Sequence, residues 1–176
     1  GPGAIVPTSS TIIQLSIGDA LAIATMKYKK FGKLDFKKFH PAGNLGNKLK
    51  TAYDLMLTKT KIPFVNENTN MKNALIILNK KKLGFLVVIN NYGLNTGIFT
   101  DGDLKRLIQK RKFRNNLKIK SVMTKKPFIV EENTLASDIL AQMNKRKITS
   151  VCIYNKKNKK KTIGVLHIHH LLKLVK

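Results

Sequence analysis

The last two-thirds of the chain repeats itself at a period of about 65 residues, and this repeat restricts the possible folds more than any other feature. Self-similarity at a fixed period indicates one supersecondary unit used more than once. A copy of about 60 residues is close to the smallest size that supports an independent core, so two copies packed together are expected. The recurring segments are Asp54-Leu55-Met56 with Ser121-Val122-Met123, Gly97-Ile98-Phe99 with Gly164-Val165-Leu166 (both offset by 67), and Asn68-Thr69 with Asn133-Thr134 (offset by 65).

Each copy predicts the same order of elements: an extended segment, a helix capped by Thr, a strand, a polar turn, a second strand and a closing helix. The strands are short apolar runs rich in β-branched residues, which is typical of strands covered by helices. The predicted fold class is α/β, with β-α-β-β-α used twice. The first copy places its elements at 62–65, 70–81, 85–89, 90–95, 96–99 and 101–110, and the second at 128–130, 135–145, 151–154, 155–161, 162–166 and 168–175.

Residues 9–30 predict a helix that begins at Ser9, Ser10 or Thr11, whose hydroxyls can accept from the first free N–H groups. Its apolar residues surround the helix, so burial on more than one face is expected. A short turn is predicted at 34–39 and a loop at 40–46, where Gly and Pro interrupt the chain. The helix has no partner within its own segment, and the chain begins with Gly rather than Met. We therefore expect a fragment of a longer protein.

The formal charge is +25, from 34 Lys and Arg against 9 Asp and Glu, which raises the question of nucleic-acid binding. Only four of these cations are Arg, the residue that phosphate and base recognition favours, so a nucleic-acid module is the weaker alternative. No apolar run is expected to be long enough to span a membrane, and no signal peptide is evident. One cysteine, Cys152, predicts a reducing, cytoplasmic environment.

The segment from Gly97 to Asp103 joins a strand to a helix, where free backbone N–H groups and a positive dipole end suit a phosphate. Thr100 can cap the helix or donate to a phosphate oxygen, and Asp103 can accept from ribose hydroxyls. A lone Thr or Asp at a helix start is more often a cap than a ligand group. The repeat makes the binding interpretation stronger here.

The β-α-β-β-α layout, with Gly-apolar-x-Thr-x-x-Asp at its last junction, resembles a pair of cystathionine-β-synthase (CBS) domains. The segments 39–46, 54–56, 98–106 and 164–169 together resemble one family, the D-arabinose 5-phosphate isomerases, which join a sugar isomerase (SIS) domain to a CBS pair. The resemblance covers nearly the whole chain. It implies that residues 1–50 are the last helices of a truncated SIS domain, 51–113 the first CBS domain and 114–176 the second; these two domains are called the first and second copies below.

This resemblance implies a parent enzyme that interconverts D-ribulose 5-phosphate and D-arabinose 5-phosphate for the synthesis of a lipopolysaccharide sugar. The family's active-site His corresponds to His40, whose partners lie upstream, so we expect the fragment alone to be inactive. The chain departs from the family pattern at Ala42, where Gly is usual, and at Asn47, where Arg is usual. It departs again at His170, where the second copy usually has Asp.

The implied role is regulatory, through binding of AMP, ATP, CMP or a CMP-sugar between the copies, with no cofactor required. The first site is predicted at Thr100 and Asp103. The base would lie near Ile62, Pro63 and Phe64, with Lys61, Lys105 and Arg106 supplying positive charge. A weaker second site is predicted at His167, His170 and Ile129.

Other candidates have simpler interpretations. The three histidines 167, 169 and 170 cannot easily face one ion, so no metal site is expected. Cys152 is predicted to be core, and Met56 and Met123 are predicted to form core contacts between the copies. The family also implies a homodimer formed through the CBS domains, with a tetrameric parent, and a third alternative is a dimerisation element that binds no ligand.

Overall fold

The computed structural model describes residues 6–40, 46 and 48–172. The chain separates into two compact units, Gly1–Leu49 and Lys50–Lys176. Each unit is described by itself.

The first unit contains α1 (Thr8–Tyr28) and α2 (Lys33–Phe39). The predicted N-terminal caps of α1 are wrong: Pro7 precedes the helix, and the hydroxyls of Ser10 and Thr11 donate to the Pro7 carbonyl instead of accepting. The Pro7 carbonyl also accepts from the Thr11 N–H at 3.1 Å, so these hydroxyls bond backwards to a carbonyl that already begins the helix. The apolar side chains of α1 are exposed all round, with Leu15 and Leu21 each 68% exposed.

By length and composition alone, α1 is long and apolar enough to span a membrane, although the expectation from the sequence was that no apolar run is long enough. The helix has 21 residues, and an 18-residue window within it has a mean hydropathy of 1.2. Polar residues, among them the charged Asp19 and Lys27, interrupt its apolar residues, so the helix contains no unbroken apolar run of that length. A core helix of a soluble protein passes the same test, so this observation is weak evidence for a membrane segment.

The second unit holds both copies. Its helices are α3 (Ala52–Leu55), α4 (Met71–Lys81), α5 (Asp101–Gln109), α6 (Ala136–Arg146) and α7 (Ile168–Leu172), and 3₁₀ turns occur at Lys59–Lys61 and Ile119–Ser121. Its strands are β1 (Leu57–Thr58), β2 (Phe64–Asn66), β3 (Phe85–Ile89), β4 (Asn95–Thr100), β5 (Thr124–Lys125), β6 (Ile129–Glu131), β7 (Ser150–Asn155) and β8 (Asn158–His167). The order of elements predicted for each copy is confirmed.

The strands form two four-stranded sheets of matching topology, in the orders β2-β3-β4-β5 and β6-β7-β8-β1. In each sheet the first pair is parallel and the other two pairs are antiparallel. The edge strand of each sheet comes from the segment that precedes the other copy: β1 lies on the second sheet and β5 on the first. We call residues 50–58 the first leader and residues 117–125 the second leader.

The leaders also exchange side chains between the two cores. Ala52 and Met56 pack in the core of the second copy, whereas Ile119 and Met123 pack in the core of the first. The sulfur of Met123 faces Gly97, and the side chain of Met56 faces Gly164, at the equivalent place in the other sheet. The predicted contact of both methionines between copies is confirmed.

A third core lies between the two sheets and contains Cys152, as predicted. Burial raises the pKa of the Cys152 thiol to about 12, because a thiolate would lose its hydration there. The other buried members of this core are Ile62, Phe85, Val87, Ile98 and Val165.

Several element ends differ from the predictions. Thr69 and Thr134 do not cap the helices that follow them; Asn70 caps α4 by accepting from Asn73 N–H, and Leu135 precedes α6 with no side-chain cap. Strand β8 begins at 158 rather than 162, although five lysines between 156 and 161 suggested a turn. Pairing with β7 extends the strand through an irregularity near Tyr154, and the lysine side chains stay in solvent.

Candidate functional site

The junction of β4 and α5 fixes Thr100 and Asp103 in a reciprocal capping box. Thr100 Oγ1 accepts from the Asp103 N–H at 3.2 Å, and Asp103 Oδ2 accepts from the Thr100 N–H at 2.9 Å. The Thr100 hydroxyl donates to the same carboxylate oxygen at 2.9 Å. Both residues are therefore caps, and the Thr100 hydroxyl has already used its one proton.

The second carboxylate oxygen of Asp103 connects the first copy to the second leader. Arg106 Nη2 lies 2.6 Å from Asp103 Oδ1, and Thr124 Oγ1 donates to the same oxygen at 3.3 Å. The Asp103 side chain is only 10% exposed, whereas that of Arg106 is 62% exposed. Asp103 is thus held in place as an acceptor, next to a cation that can turn toward a ligand.

Thr100 and Asp103 lie on the wall of a cleft of about 440 Å³ between the two copies, which we call the inter-copy cleft. Its volume is within the range of small-molecule sites. The wall combines cations, carboxylates, hydroxyls and apolar side chains. The first copy contributes Leu83, Gly84, Ile98, Thr100, Asp101, Gly102, Asp103 and Arg106, and the second, with its leader, contributes Thr124, Lys126, Pro127, Phe128, Lys147, Ile148, Thr149, Ser150 and His167.

Phe128 gives this cleft an aromatic surface, and Arg146, which is not part of the cleft wall, packs against its ring. The guanidinium carbon of Arg146, at the end of α6, lies 4.4 Å from the centre of the Phe128 ring. This cation–π contact holds the ring in position. Phe128 also packs against the core of the second copy, so the ring is fixed by both neighbours.

The second copy has imidazoles where the first copy has the capping pair. His167 is equivalent to Thr100 and His170 to Asp103, at an offset of 67. The His167 N–H donates to His170 Nδ1 at 3.3 Å, which reproduces the bond from Thr100 N–H to Asp103. Replacement of the acid by His170 therefore keeps the local geometry and removes a negative charge.

His167 has two imidazole neighbours and is half-buried. Its ring centre lies 4.9 Å from that of His169 and 6.4 Å from that of His170. Its Nδ1 accepts from the His169 N–H at 3.4 Å. Burial lowers the pKa of His167 below its usual 6.5, and the nearby imidazoles of His169 and His170 lower it further. Within the described ranges, no three His, Cys, Asp or Glu residues form a group that could hold a metal ion.

The structure brings together only part of the predicted site. Thr100, Asp103, Arg106 and His167 line one cleft, although they were assigned to two sites. Ile62 is instead buried between the sheets, and Phe64 packs against the same core. Pro63, Lys61, Lys105, His170 and Ile129 are likewise not part of the lining of this cleft.

Lys126, Phe128 and Lys147 line the cleft but are not among the predicted site residues. The repeat contained a usable signal, since Lys126 and Phe128 are the second-copy counterparts of Lys61 and Pro63 at an offset of 65. Because the second leader lies on the first sheet, this segment lies beside Thr100, and its counterpart in the first copy does not.

His40 directly follows α2 in the first unit and is exposed. Its ring stacks on Phe36 at 4.2 Å between centres, and Nδ1 lies 3.3 Å from the Phe36 carbonyl oxygen. Asp35, the acid on the same helix, accepts from Gly32 N–H and pairs with Lys38 at 2.9 Å. These bonds hold the pKa of Asp35 below its usual value. The departures at Ala42 and Asn47 lie outside the described residues.

The two repeated units and the cleft between them define a tandem domain pair. The CBS domain family matches residues 52–110 and 119–176, and the chain belongs to that family. The predicted fold, a tandem CBS pair, is confirmed.

Curated relatives extend the similarity beyond the pair. The chain is 39% identical over 173 residues to arabinose 5-phosphate isomerase KdsD of Yersinia pestis, an alignment that covers 98% of this chain and 52% of that protein. The chain thus spans about half the length of the curated relatives it matches. The predicted resemblance to arabinose 5-phosphate isomerases is confirmed.

Solved structures with the same fold include two ligand complexes. CBSX2 in complex with AMP matches with a TM-score of 0.62 and 25% identity, covering 71% of this chain and 95% of that one. The CBS pair of MJ0100, in complex with 5′-methylthioadenosine and S-adenosyl-L-methionine, matches with a TM-score of 0.64 and 20% identity, covering 72% and 96%. The second likeness shows the fold alone.

Proposed function

We propose that residues 51–176 are a regulatory CBS pair that binds a nucleotide in the inter-copy cleft. The observation that carries the proposal is the mixed wall of this cleft: a fixed carboxylate at Asp103, cations at Arg106, Lys126 and Lys147, and an aromatic ring at Phe128. A nucleotide needs an acceptor for its ribose, cations for its phosphate and an apolar surface for its base. The AMP bound by CBSX2 supports an adenine nucleotide as the first candidate.

The parent protein, in this proposal, is an arabinose 5-phosphate isomerase, and residues 1–50 are the last helices of its SIS domain. The alignment with the Yersinia protein extends over 98% of this chain and therefore includes α1. The exposed apolar surface of α1 is what a helix cut from a larger α/β domain would show. The nucleotide would then report pathway output to the isomerase domain, and a CMP-sugar is the second candidate.

Binding is tested by titration calorimetry of the chain with AMP, ATP, CMP and a CMP-sugar. We expect one of these ligands to bind saturably. Lys126→Asn should weaken that ligand about tenfold, the usual effect of losing one charge-assisted hydrogen bond. Asn tolerates the left-handed backbone of Lys126 (φ 55°), so the fold should persist. Lys125→Asn is the matched control, because Lys125 is an exposed neighbour outside the cleft wall.

A second variant tests the base surface. Phe128→Leu keeps an apolar side chain against the core but removes the ring, and it should weaken the same ligand about tenfold, since stacking of one base contributes about 1–3 kcal/mol. Equal affinities for wild type, Lys126→Asn and Phe128→Leu would place the ligand outside this cleft and contradict the proposal.

The alternatives give different results in the same experiment. A nucleic-acid module would bind any polyanion with a steep dependence on salt and would respond equally to Lys125→Asn and Lys126→Asn. A pure dimerisation element would bind none of the four ligands while still sedimenting as a dimer. Our proposal includes a homodimer formed by the CBS pair and a cytoplasmic location, where Cys152 stays reduced.

A further inference from the structure

A stretch of exposed positive charge joins the two copies. Residues 104–130 contain ten Lys and Arg and no Asp or Glu, and all ten cations are exposed. Three of the four arginines in the chain, Arg106, Arg111 and Arg114, lie close together in this stretch. The low arginine content of the whole chain argues against nucleic acid as its main ligand, whereas the local content here is what phosphate recognition favours.

The densest part of the stretch is the turn that follows α5, residues 110–116, which we call the basic loop. None of its four cations forms an ion pair with a described residue, and none belongs to the described wall of the inter-copy cleft. Arg106, by contrast, is paired with Asp103 and lies on that wall. The charges of the basic loop are therefore available to an external anion. They are Lys110, Arg111, Lys112 and Arg114.

Backbone hydrogen bonds hold the basic loop to the helices on both sides of it. The Lys112 N–H donates to the Leu107 carbonyl at 3.1 Å, which joins the loop to the last turn of α5. The Asn115 carbonyl accepts from the N–H of Lys72 at 3.1 Å, which joins the loop to the first turn of α4. The cations thus project from a fixed backbone, and less conformational entropy is lost when they bind.

The side chains of the loop differ in what they contact. Phe113 packs against the core of the first copy, and it is the only aromatic or large apolar residue of the loop. Arg114 Nη1 donates to the Phe113 carbonyl oxygen at 2.7 Å and so stabilises the turn. The exposed side chains of the loop are the four cations and the amides of Asn115 and Asn116.

We propose that the basic loop binds the sugar–phosphate backbone of a double-stranded nucleic acid without reading its sequence. Phosphates provide most of the affinity in such contacts, and Lys, Arg and Asn side chains all donate to them. A single strand is bound through aromatic rings that stack on its bases, and the one ring of the loop is packed against the core. This surface is separate from the inter-copy cleft and does not depend on the proposed function.

Two other anionic partners fit the basic loop less well. Binding to an anionic bilayer grows with the apolar area that enters the headgroups, as well as with charge. The centre of a protein interface is rich in aromatic residues and poor in lysine. The loop offers no apolar or aromatic side chain for either purpose, because Phe113 packs inward.

The test measures the affinity of the chain for a short fluorescent DNA duplex of mixed sequence, by anisotropy over a series of KCl concentrations. The loop variant combines Lys110→Gln, Arg111→Asn and Lys112→Gln. Asn suits the left-handed backbone at Arg111 (φ 53°), and Arg114 is kept because it stabilises the turn. Thermal unfolding establishes that the variant is folded.

The β7–β8 hairpin provides a matched control. It has five lysines between 156 and 161 and no arginine, and its lysines are exposed. The control variant combines Lys157→Gln, Lys159→Gln and Lys160→Gln, so it loses the same three positive charges as the loop variant. A difference between the two variants therefore reports the position of the charges and not their sum.

We expect the wild-type chain to bind the duplex with an affinity that falls linearly with salt on logarithmic axes. The loop variant should bind about tenfold or more weakly, with a slope shallower by about two to three, since each phosphate contact contributes about 0.9 to the slope. The control variant should change the affinity only about twofold, through the net charge. Equal losses in the two variants, or no binding by the wild type at low salt, would overturn the inference.

Other probes identify the partner. Duplex DNA and duplex RNA present the same backbone charge, and comparing their affinities shows which of the two is preferred. Single-stranded DNA, phosphatidylserine vesicles and polyglutamate should each bind more weakly than the duplexes at equal ionic strength. Tighter binding of any of these three, lost in the loop variant, would replace the duplex as the partner and overturn the inference. Nucleotide affinity in the inter-copy cleft should be unchanged in both triple variants, so either outcome leaves the proposed function intact.

Discussion

The side-chain amide of Asn95 donates to Thr162 Oγ1 over 2.8 Å, and these two residues occupy the same position in the two copies, 67 residues apart. The bond therefore joins the copies at their line of internal symmetry. The Cys152 thiol interacts with both side chains from the core between the sheets. A small polar cluster thus fixes the register of two otherwise apolar surfaces.

Loss of this bond should destabilise the pair. Thr162→Val is isosteric but leaves the half-buried amide donor of Asn95 unpaired, which costs about 1–3 kcal/mol of unfolding free energy. Urea unfolding followed by circular dichroism measures the change. Thr162→Ser, which keeps the hydroxyl, should be nearer to wild type, and equal losses in Val and Ser variants would show that the hydrogen bond is not the cause.

Replacing the two equivalent glycines, Gly97 and Gly164, by alanine should reduce the unfolding free energy by different amounts. A Cβ at Gly97 would lie 2.8 Å from the Thr124 carbonyl oxygen and 2.6 Å from Met123 Sδ, whereas a Cβ at Gly164 meets only atoms of Met56 among its nearest neighbours. Because a side chain yields more readily than a backbone, Gly97→Ala should cost about 1–3 kcal/mol and Gly164→Ala less.

The second-site changes sharpen this test. Met56→Ala should recover much of the stability lost in Gly164→Ala, measured as a double-mutant cycle in urea. Met123→Ala should recover little of the loss in Gly97→Ala, because the Thr124 carbonyl remains. Equal recovery of the unfolding free energy in both cycles would show that the Thr124 carbonyl does not make Gly97 less tolerant of a Cβ than Gly164.

The Cys152 thiol should be unreactive in the folded chain. With its pKa raised to about 12 by burial, the thiolate that attacks disulfides is almost absent at pH 8.5. Labelling with a chromogenic disulfide should proceed only as fast as the core between the sheets opens, and should become fast in denaturant. Rapid labelling of the native chain at pH 8.5 would disprove this burial.

Acid should weaken the fold through His167. Its pKa is below 6.5 in the folded state, so below pH 6.5 the unfolded chain binds more protons and the unfolding free energy falls. Above pH 6.5 this contribution is constant. The difference in unfolding free energy between pH 7.5 and pH 5.5 should be smaller in His167→Gln than in wild type, and an unchanged difference would exclude His167 as the source.

The chain alone should not interconvert D-ribulose 5-phosphate and D-arabinose 5-phosphate. His40 is exposed, and the acid on its helix, Asp35, is engaged by Lys38 and Gly32, so the described residues supply no second acid–base group beside it. A discontinuous assay of arabinose 5-phosphate formation should show no turnover above buffer. Turnover that is abolished by His40→Ala would contradict this expectation.

The fold could be predicted where the signal is local or repeated. The apolar runs at 85–89 and 151–154 identified the central strands, and the offset of 67 identified the equivalent junctions. The edge strands β1 and β5 could not be predicted, because two-residue strands have no periodicity of their own and form only by pairing with the other copy. The cap of α4 was assigned to the wrong residue, because Thr69 and Asn70 are adjacent and both have side chains that can cap a helix.

The residues of the candidate site likewise fall into those that local spacing predicts and those whose position depends on how the two copies pack. Thr100 and Asp103 were predicted because their spacing along one helix start is local. Lys126 and Phe128 were not, because they follow directly on a leader that crosses to the opposite sheet, and Lys147 was not, because the end of α6 reaches this cleft only when the two copies pack together. His167 was identified but assigned to a separate site, since sequence alone does not show that one cleft reaches both junctions.

The crossed leaders also decide how such a pair can transmit a signal. Each copy holds the edge strand of the other, so swinging one copy away from its neighbour would strip a strand and two core side chains from both. Hinge opening between the copies is therefore as costly as partial unfolding. In the proposed function, a nucleotide in the cleft would therefore act by sliding the two interlocked sheets by small amounts, and an attached domain would sense that shear rather than an open or closed clamp.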